Sequence, residues 1–211
     1  MPKKLNPNLD YFQPDFYRFS QDSTQLAKIV AEEMGLLQED SWCMDVGAGC
    51  GIVGLEIIKN LDRKINFDFL EIQTEFKDFF YKNLNLLEEK KKFCNFHDID
   101  FRKFLPLKKY SLIVSNPPYF SPGKGRTSND PRKNKCRFFM EGSYKELLSF
   151  FKLCLIPKGV GYILYRENGE KSFEIFQELF IEFGSYFSFS KRPLDKKTNL
   201  LVVGVLDKKR N

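Results

Sequence analysis

Trp42-Cys43-Met44-Asp45-Val46-Gly47-Ala48-Gly49-Cys50-Gly51 decides the fold of this 211-residue chain. The run 42–46 has the length and composition of a buried strand, and it ends in alternating glycines. The stretch 51–59 then carries Ile52, Leu55 and Ile58 at helical spacing. Glycines between a strand and a helix let the backbone turn tightly and approach a ligand, while the helix start presents free N–H groups. In open α/β sheets this carboxyl edge is where ligands bind. Gly49-Cys50-Gly51-Ile52-Val53-Gly54 also fits G-x-G-x-x-G, a dinucleotide pattern that is weak alone, and no Lys-Ser/Thr follows to make a phosphate-cradling loop.

Working outward, the same alternation continues. Upstream, residues 1–22 read as an irregular arm with Pro7 and Pro14, and 23–211 as one domain. Leu26, Ile29, Val30, Met34 and Leu37 recur at helical spacing, with Asp22 or Ser23 expected as N-cap. Downstream, 65–70 is strand-like, and Phe76, Phe79, Phe80, Leu84 and Leu87 share one helical face. Short strands are expected at 92–97 and 110–114. Ser143 and Glu146 form a capping box for a helix carrying Leu147, Leu148, Phe151 and Leu155 inward, with Pro157 and Gly159 stopping it. A strand at 160–165, a helix at 173–183 ended by Gly184, and strands at 186–190 and 200–206 close the chain. Strands alternating with helices imply an α/β fold: a mostly parallel sheet covered by helices on both faces. The turn 191–199 is too short for a crossover helix, so the final two strands should pair antiparallel.

Composition narrows the function. Lys and Arg number 34 against 28 Asp and Glu, a net charge of +6, which permits a polyanionic partner without demanding one. Hydrophobic residues make up 42% and charged residues 29%, within the globular range. The longest apolar run, 200–206, falls far short of the roughly 20 residues of a membrane span. Met1-Pro2-Lys3-Lys4-Leu5 lacks the apolar stretch of a signal peptide, and five cysteines without Cys-x-x-Cys suit reduced thiols, so a cytoplasmic location is expected. With one histidine, His97, no metal site of the usual spacing is expected.

Two further strand ends carry chemistry. Glu71 closes the second strand, where a carboxylate can accept both ribose hydroxyl protons of a nucleoside cofactor. Asp98, with Asp100 as its rival, follows the third strand and can bond the exocyclic amine of a cofactor adenine. The fourth strand runs into Ser115-Asn116-Pro117-Pro118-Tyr119. Two prolines restrict the backbone and remove two donors, which makes a rigid loop. The Asn116 side-chain carbonyl and the Pro117 backbone carbonyl can grip both protons of a planar NH₂ group and free its lone pair for attack. Tyr119 offers a face for stacking the ring that bears the amine, worth about 1–3 kcal/mol for a base.

Asp45-x-Gly47-x-Gly49-x-Gly51, Glu71, Asp98 and Asn116-Pro117-Pro118-Tyr119, in that order, resemble the class I S-adenosylmethionine-dependent amino-methyltransferases over nearly the whole chain. Three features resemble the bacterial family that methylates N6 of adenine 37 in valine tRNA: Phe16-Tyr17-Arg18-Phe19-Ser20-Gln21-Asp22-Ser23, Ser115 before the tetrapeptide, and Cys136-Arg137-Phe138-Phe139-Met140-Glu141. Where that family usually shows Ala-Arg-His-Glu, this chain keeps Arg137 but has Phe138 and Phe139. The resemblance implies a Rossmann-like fold with a seven-stranded sheet and one antiparallel strand. It implies S-adenosylmethionine held by the 45–51 loop and Glu71, its adenine near Asp98, and its methionine end near Asp22 and Ser23. The target amine would sit between Asn116 and Pro117.

The segment after the tetrapeptide carries Lys124, Arg126, Arg132, Lys133, Lys135 and Arg137 against Asp130 alone. Such a basic loop suits phosphate contacts that hold RNA, most readily tRNA, without reading its sequence. The rival readings are glutamine-N5 methylation of a protein, adenine-N6 methylation of DNA or rRNA, and a non-catalytic RNA-binding module. The first expects a sizeable helical domain ahead of Asp45, DNA methylation a separate target-recognition domain, and the third has no use for an intact Asn116 and Tyr119. A nicotinamide dehydrogenase leaves the tetrapeptide unexplained.

Overall fold

The computed structural model describes residues 11–34, 37–119, 127–137, 143–166 and 170–207. Strands β1 (Trp42–Val46), β2 (Asn66–Glu71), β3 (Cys94–Asp98), β4 (Tyr110–Ser115), β5 (Leu155–Arg166), β6 (Phe187–Pro193) and β7 (Thr198–Val205) form one seven-stranded sheet. Their order is β3-β2-β1-β4-β5-β7-β6. β1 pairs in parallel with β2 and β4, β2 with β3, and β4 with β5, whereas β7 runs antiparallel to both β5 and β6. The strand order therefore reverses beside β1, and the crevice at such a switch point is where α/β sheets bind ligands.

Helices cover both faces. α1 (Gln21–Glu33), α2 (Ile52–Asn60) and α3 (Lys77–Leu84) bury Leu26, Val30, Leu55, Ile58 and Phe80 against Cys43, Phe67, Phe69, Leu112 and Val114. On the other face α5 (Tyr144–Cys154) and α6 (Glu170–Phe183) bury Leu148, Phe151 and Phe183 against Met44, Ile113, Ile163 and Val203. A fully buried central strand must be apolar on both sides, which is why β1 reads as a continuous run. Ser143 caps α5 as its spacing predicts: its hydroxyl accepts from Glu146 N at 3.2 Å and bonds Glu146 Oε2 at 2.9 Å. Gly184 ends α6, donating to Phe180 O at 2.8 Å.

Two expectations are corrected. α1 begins at Gln21 with Ser20 in the cap position, so Asp22 and Ser23 lie in its first turn and are not its N-cap. Both are buried there, held by contacts with the sheet edge rather than by the helix start. The basic stretch read as a loop contains α4 (Pro131–Arg137), opened by Asp130 accepting from Arg132 N at 2.9 Å. Elsewhere on the sheet, His97 with Asn95, Tyr110 and Lys108 surrounds the buried Asp68 carboxylate at 2.7–3.3 Å. Burial opposes the charge on Asp68, but these partners prevail and hold its carboxyl at about 2.

Gly54 in α2 marks the closest helix–sheet approach. A Cβ there would lie 2.4 Å from the Phe69 ring and 2.9 Å from Phe67. Gly54→Ala is expected to cost about 1–3 kcal/mol through overpacking. The check is a urea titration, with a lowered midpoint at unchanged slope.

Candidate active site

The ends of β2, β1 and β4 lie side by side, so everything carried on them meets at one edge. The turn after β1 needs left-handed backbone three times, at Gly47 (φ +73°), Gly49 (φ +54°) and Gly51 (φ +84°), which suits glycine. Gly47 N and Ala48 N both donate to Leu70 O, at 2.9 and 3.0 Å, tying the loop to β2. Glu71 completes the tie. Its carboxylate accepts from Gly49 N and from Gln73 N, each at 2.8 Å. Burial pushes the Glu71 carboxyl above the usual range, opposed by those backbone N–H groups. Asp45 accepts from Gly54 N at 3.0 Å, and burial raises its carboxyl to about 7 against the pull of that bond, with the Glu71 charge adding to the rise.

The tetrapeptide is gripped from several sides. Ser115 Oγ donates to Val46 O at 2.7 Å, locking β4 to β1 where both end. Asn116 Nδ2 donates to Ser23 Oγ at 2.8 Å, and Asn116 Oδ1 accepts from the Tyr119 hydroxyl at 2.7 Å. The Arg166 guanidinium, at the end of β5, lies 4.7 Å from the centre of the Tyr119 ring and 3.4 Å from Asp22 Oδ2. Asp22, Arg166, Tyr119, Asn116 and Ser23 thus form a chain of contacts whose two ends, Asp22 and Ser23, are neighbours in sequence. Burial and the Asp22 charge hold the Tyr119 hydroxyl above its ordinary range, so it stays protonated and remains a donor.

A cleft of about 800 Å³, open mouth included, runs between the glycine loop and this elbow. Gly47, Gly49, Glu71, Gln73, Asn116, Pro117 and Pro118 line it, joined by Tyr17, Phe76, Phe101, Lys135 and Cys136. A smaller recess of about 280 Å³ continues between Ser23, Asp45, Gly47 and Asn116. Tyr17 and Phe16 meet the Phe76 ring edge-on at 5.3 and 5.5 Å, and Arg132 of α4 stacks over Phe16 at 4.6 Å. The arm and α4 therefore roof the cleft together.

The sequence-derived residues are not all gathered here. Gly47, Gly49, Glu71, Asn116 and Pro117 line the cleft and Ser23 and Asp45 its recess, whereas Gly51 faces Phe80 and Leu55, and Asp22 and Tyr119 reach the elbow through Arg166 and Asn116. Neither Asp98 nor Asp100 lines the cleft: Asp98 sits 3.9 Å from Lys77, and Asp100 is buried and bound to the Arg102 guanidinium. Of the basic residues, Lys135 lines the cleft, Arg132 pairs with Asp130 at 2.8 Å, and Lys133 is exposed on α4. Arg137 ends α4, whereas Lys124 and Arg126 lie outside the described residues. Sequence reasoning missed Tyr17, Gln73, Cys136 and Arg166 as components of the site. Tyr17 and Cys136 stand in two of the stretches that carry the family resemblance, whereas Gln73 and Arg166 left no signal.

Residues 19–130 match the family model described as the methyltransferase small domain. The chain belongs to that family. It is 25% identical over 128 residues to the tRNA1(Val) (adenine(37)-N6)-methyltransferase of Escherichia coli, a match covering 60% of this chain and 51% of the relative. The match thus spans about half the length of that curated relative. Among solved structures, a putative class I S-adenosylmethionine-dependent methyltransferase from Listeria monocytogenes superposes with TM-score 0.68 at 13% identity, covering 95% of this chain and 64% of that one. A putative RNA methyltransferase from Pyrococcus horikoshii gives 0.62 at 15% identity, covering 93% of each chain. Family and fold make S-adenosylmethionine the cofactor of this methyltransferase domain. The residues present suit it. Gln73 Oε1 is buried at the cleft with no hydrogen-bond partner among the described residues, and a buried carboxylate stands beside it. Among the described residues no cluster of three or more His, Cys, Asp or Glu is placed to hold a metal, and no helix is long and apolar enough to cross a membrane.

The raised Asp45 carboxyl makes stability fall with pH. Its contribution is full below the unfolded value of 3.8 and is lost as pH rises through about 7. Asp45→Asn keeps an acceptor for Gly54 N but no longer titrates. The melting temperature of the variant relative to wild type is expected to climb between about pH 5 and about pH 8, read in thermal melts.

Proposed function

We propose that this chain is an S-adenosylmethionine-dependent methyltransferase acting on N6 of an RNA adenine, with adenine 37 of valine tRNA the first substrate to try. The observation that carries the reading is Asn116. Its side chain is fixed by Ser23 and Tyr119 at the rim of the cleft, beside a proline whose carbonyl has no N–H of its own residue next to it.

Cofactor binding falls to the opposite wall. Glu71 accepts the ribose hydroxyls, and the Gly47 and Gly49 backbone lies against the ligand with Asp45 and Gly51 holding the turn. Gln73 Oε1 supplies the spare acceptor on the Ile72–Phe101 side, a role that spacing alone assigns to Asp98. Asp22 and Ser23 border the recess suited to the methionine end. When bound, the cofactor supplies a methyl group activated on a sulfonium.

The chain's own part is orientation. Asn116 Oδ1 has a second lone pair beyond the one used by Tyr119, so it and the Pro117 carbonyl accept both protons of the target amine. Tyr119 stacks the adenine ring. Because its hydroxyl is held protonated, Tyr119 acts as a fixed donor to Asn116 and not as a base, and the proton released after transfer leaves to water. Adenines in RNA loops are already partly unstacked, which lowers the cost of presenting one. The basic face of α4, with Lys133 exposed, supports an RNA partner.

Radiolabelled cofactor offered to separate tRNA, rRNA, DNA and protein fractions should label tRNA as N6-methyladenosine. Label confined to protein glutamine overturns the reading. Asn116→Ala is expected to lower kcat by about 100-fold or more, by the scale of removing one positioned polar group, while cofactor affinity measured by calorimetry persists. Equal loss of both contradicts the division between the two walls.

A further inference from the structure

The turn between β6 and β7 stands beside the elbow without a role in the site described above. β7 runs antiparallel to β5, with Thr198 opposite Arg166, so residues 194–197 sit at the same sheet edge as Asn116. Leu194 packs into the core cluster that Tyr119 also joins. Asp195 is near enough to Arg166 and Tyr119 to feel the charge of one and act on the other.

The turn is rigid. Asp195 Oδ1 accepts from Lys197 N at 2.6 Å and Thr198 N at 2.7 Å, and Leu194 N and Asp195 N both donate to Thr198 O, at 2.9 and 3.2 Å. The charges here do not cancel. Asp22 is taken by Arg166, Glu33 pairs with Arg192, and Asp195 is committed to the turn's own backbone. Lys196 and Lys197 remain, exposed, with no side-chain hydrogen bond or ion pair among the described residues. Surplus ammonium groups on a pinned turn, next to the mouth where a planar amine enters, match a regularly spaced polyanion better than a neutral peptide.

We infer that Lys196 and Lys197 hold RNA phosphates on the Tyr119 side of the mouth, so that the β6–β7 turn and α4 form the two banks of one nucleic-acid groove. The inference rests on the RNA reading above. Such contacts position the strand and read no sequence.

The test uses the full chain, a labelled unmodified tRNA transcript and fluorescence anisotropy over a salt series. Each single-strand phosphate contact contributes about 0.7 to the slope of log affinity against log salt, so Lys196→Gln with Lys197→Gln should flatten it by about 1.4 and weaken binding about tenfold or more at ~0.1 M salt. Lys196→Arg with Lys197→Arg should restore the slope, while melting temperature and calorimetric affinity for S-adenosylmethionine stay at wild-type values in both variants. An unchanged slope in the glutamine variant, with wild-type protein still methylating RNA, overturns this inference alone. Failure of wild-type protein to bind or methylate any RNA, or labelling of an acidic protein instead, overturns the RNA reading and this inference with it.

Discussion

One buried carboxylate holds the site together. Glu71 ends β2, and by accepting from Gly49 N it fixes the turn of β1, while Gln73 N closes its other oxygen. A carboxylate in a low-dielectric pocket is tolerated only where donors surround it, and here the donors are the backbone of the loop whose shape matters. The clamp therefore works in both directions. The loop satisfies the charge, and the charge holds the middle of its three left-handed glycines, while Leu70 O and Ala48 O hold the other two.

The second wall depends on covalent stiffness in place of charge. Pro117 and Pro118 limit the backbone after β4, and the Ser115–Val46 bond sets where the elbow starts. The Asn116 amide would still rotate, and the contacts from α1 and β5 prevent this: Ser23 on one side, and Tyr119 backed by Arg166 and Asp22 on the other. An amide whose two ends bond different partners has one orientation to present. Such fixing before substrate arrives is what a reaction driven by orientation requires.

The strands and helices were legible because their signals are local. Trp42–Val46 is apolar but for Asp45, as suits a strand buried on both sides, Ser143 and Glu146 announce a cap, and the short link before β7 forbids a crossover. The glycine loop, Glu71 and the tetrapeptide were legible because each sits at the end of its own strand, and strand ends on a parallel sheet share one edge. What stayed hidden depends on contacts distant in sequence. Arg166 reaches Tyr119 and Asp22 only through the β4–β5 register and the packing of α1, and Gln73 faces α4 across a fold that no spacing encodes. Asp98 ends the outermost strand, opposite Glu71 in the β2–β3 register and 3.9 Å from Lys77, a neighbour that its place along the chain does not reveal.

Asp45 and Glu71 also mark where stability is set against function. The two carboxyls, near the ends of the neighbouring strands β1 and β2, both have raised proton affinity: burial disfavours charge on each, the Glu71 charge adds to the rise on Asp45, and the Asp98 charge to that on Glu71. An apolar pair at these positions would pack at no such cost, but it would leave Gly49 N and Gly54 N without acceptors and present no negative potential to the cleft. The cost in charge is thus met by the backbone of the glycine turn and of α2, which accounts for two buried acids at this edge of the sheet.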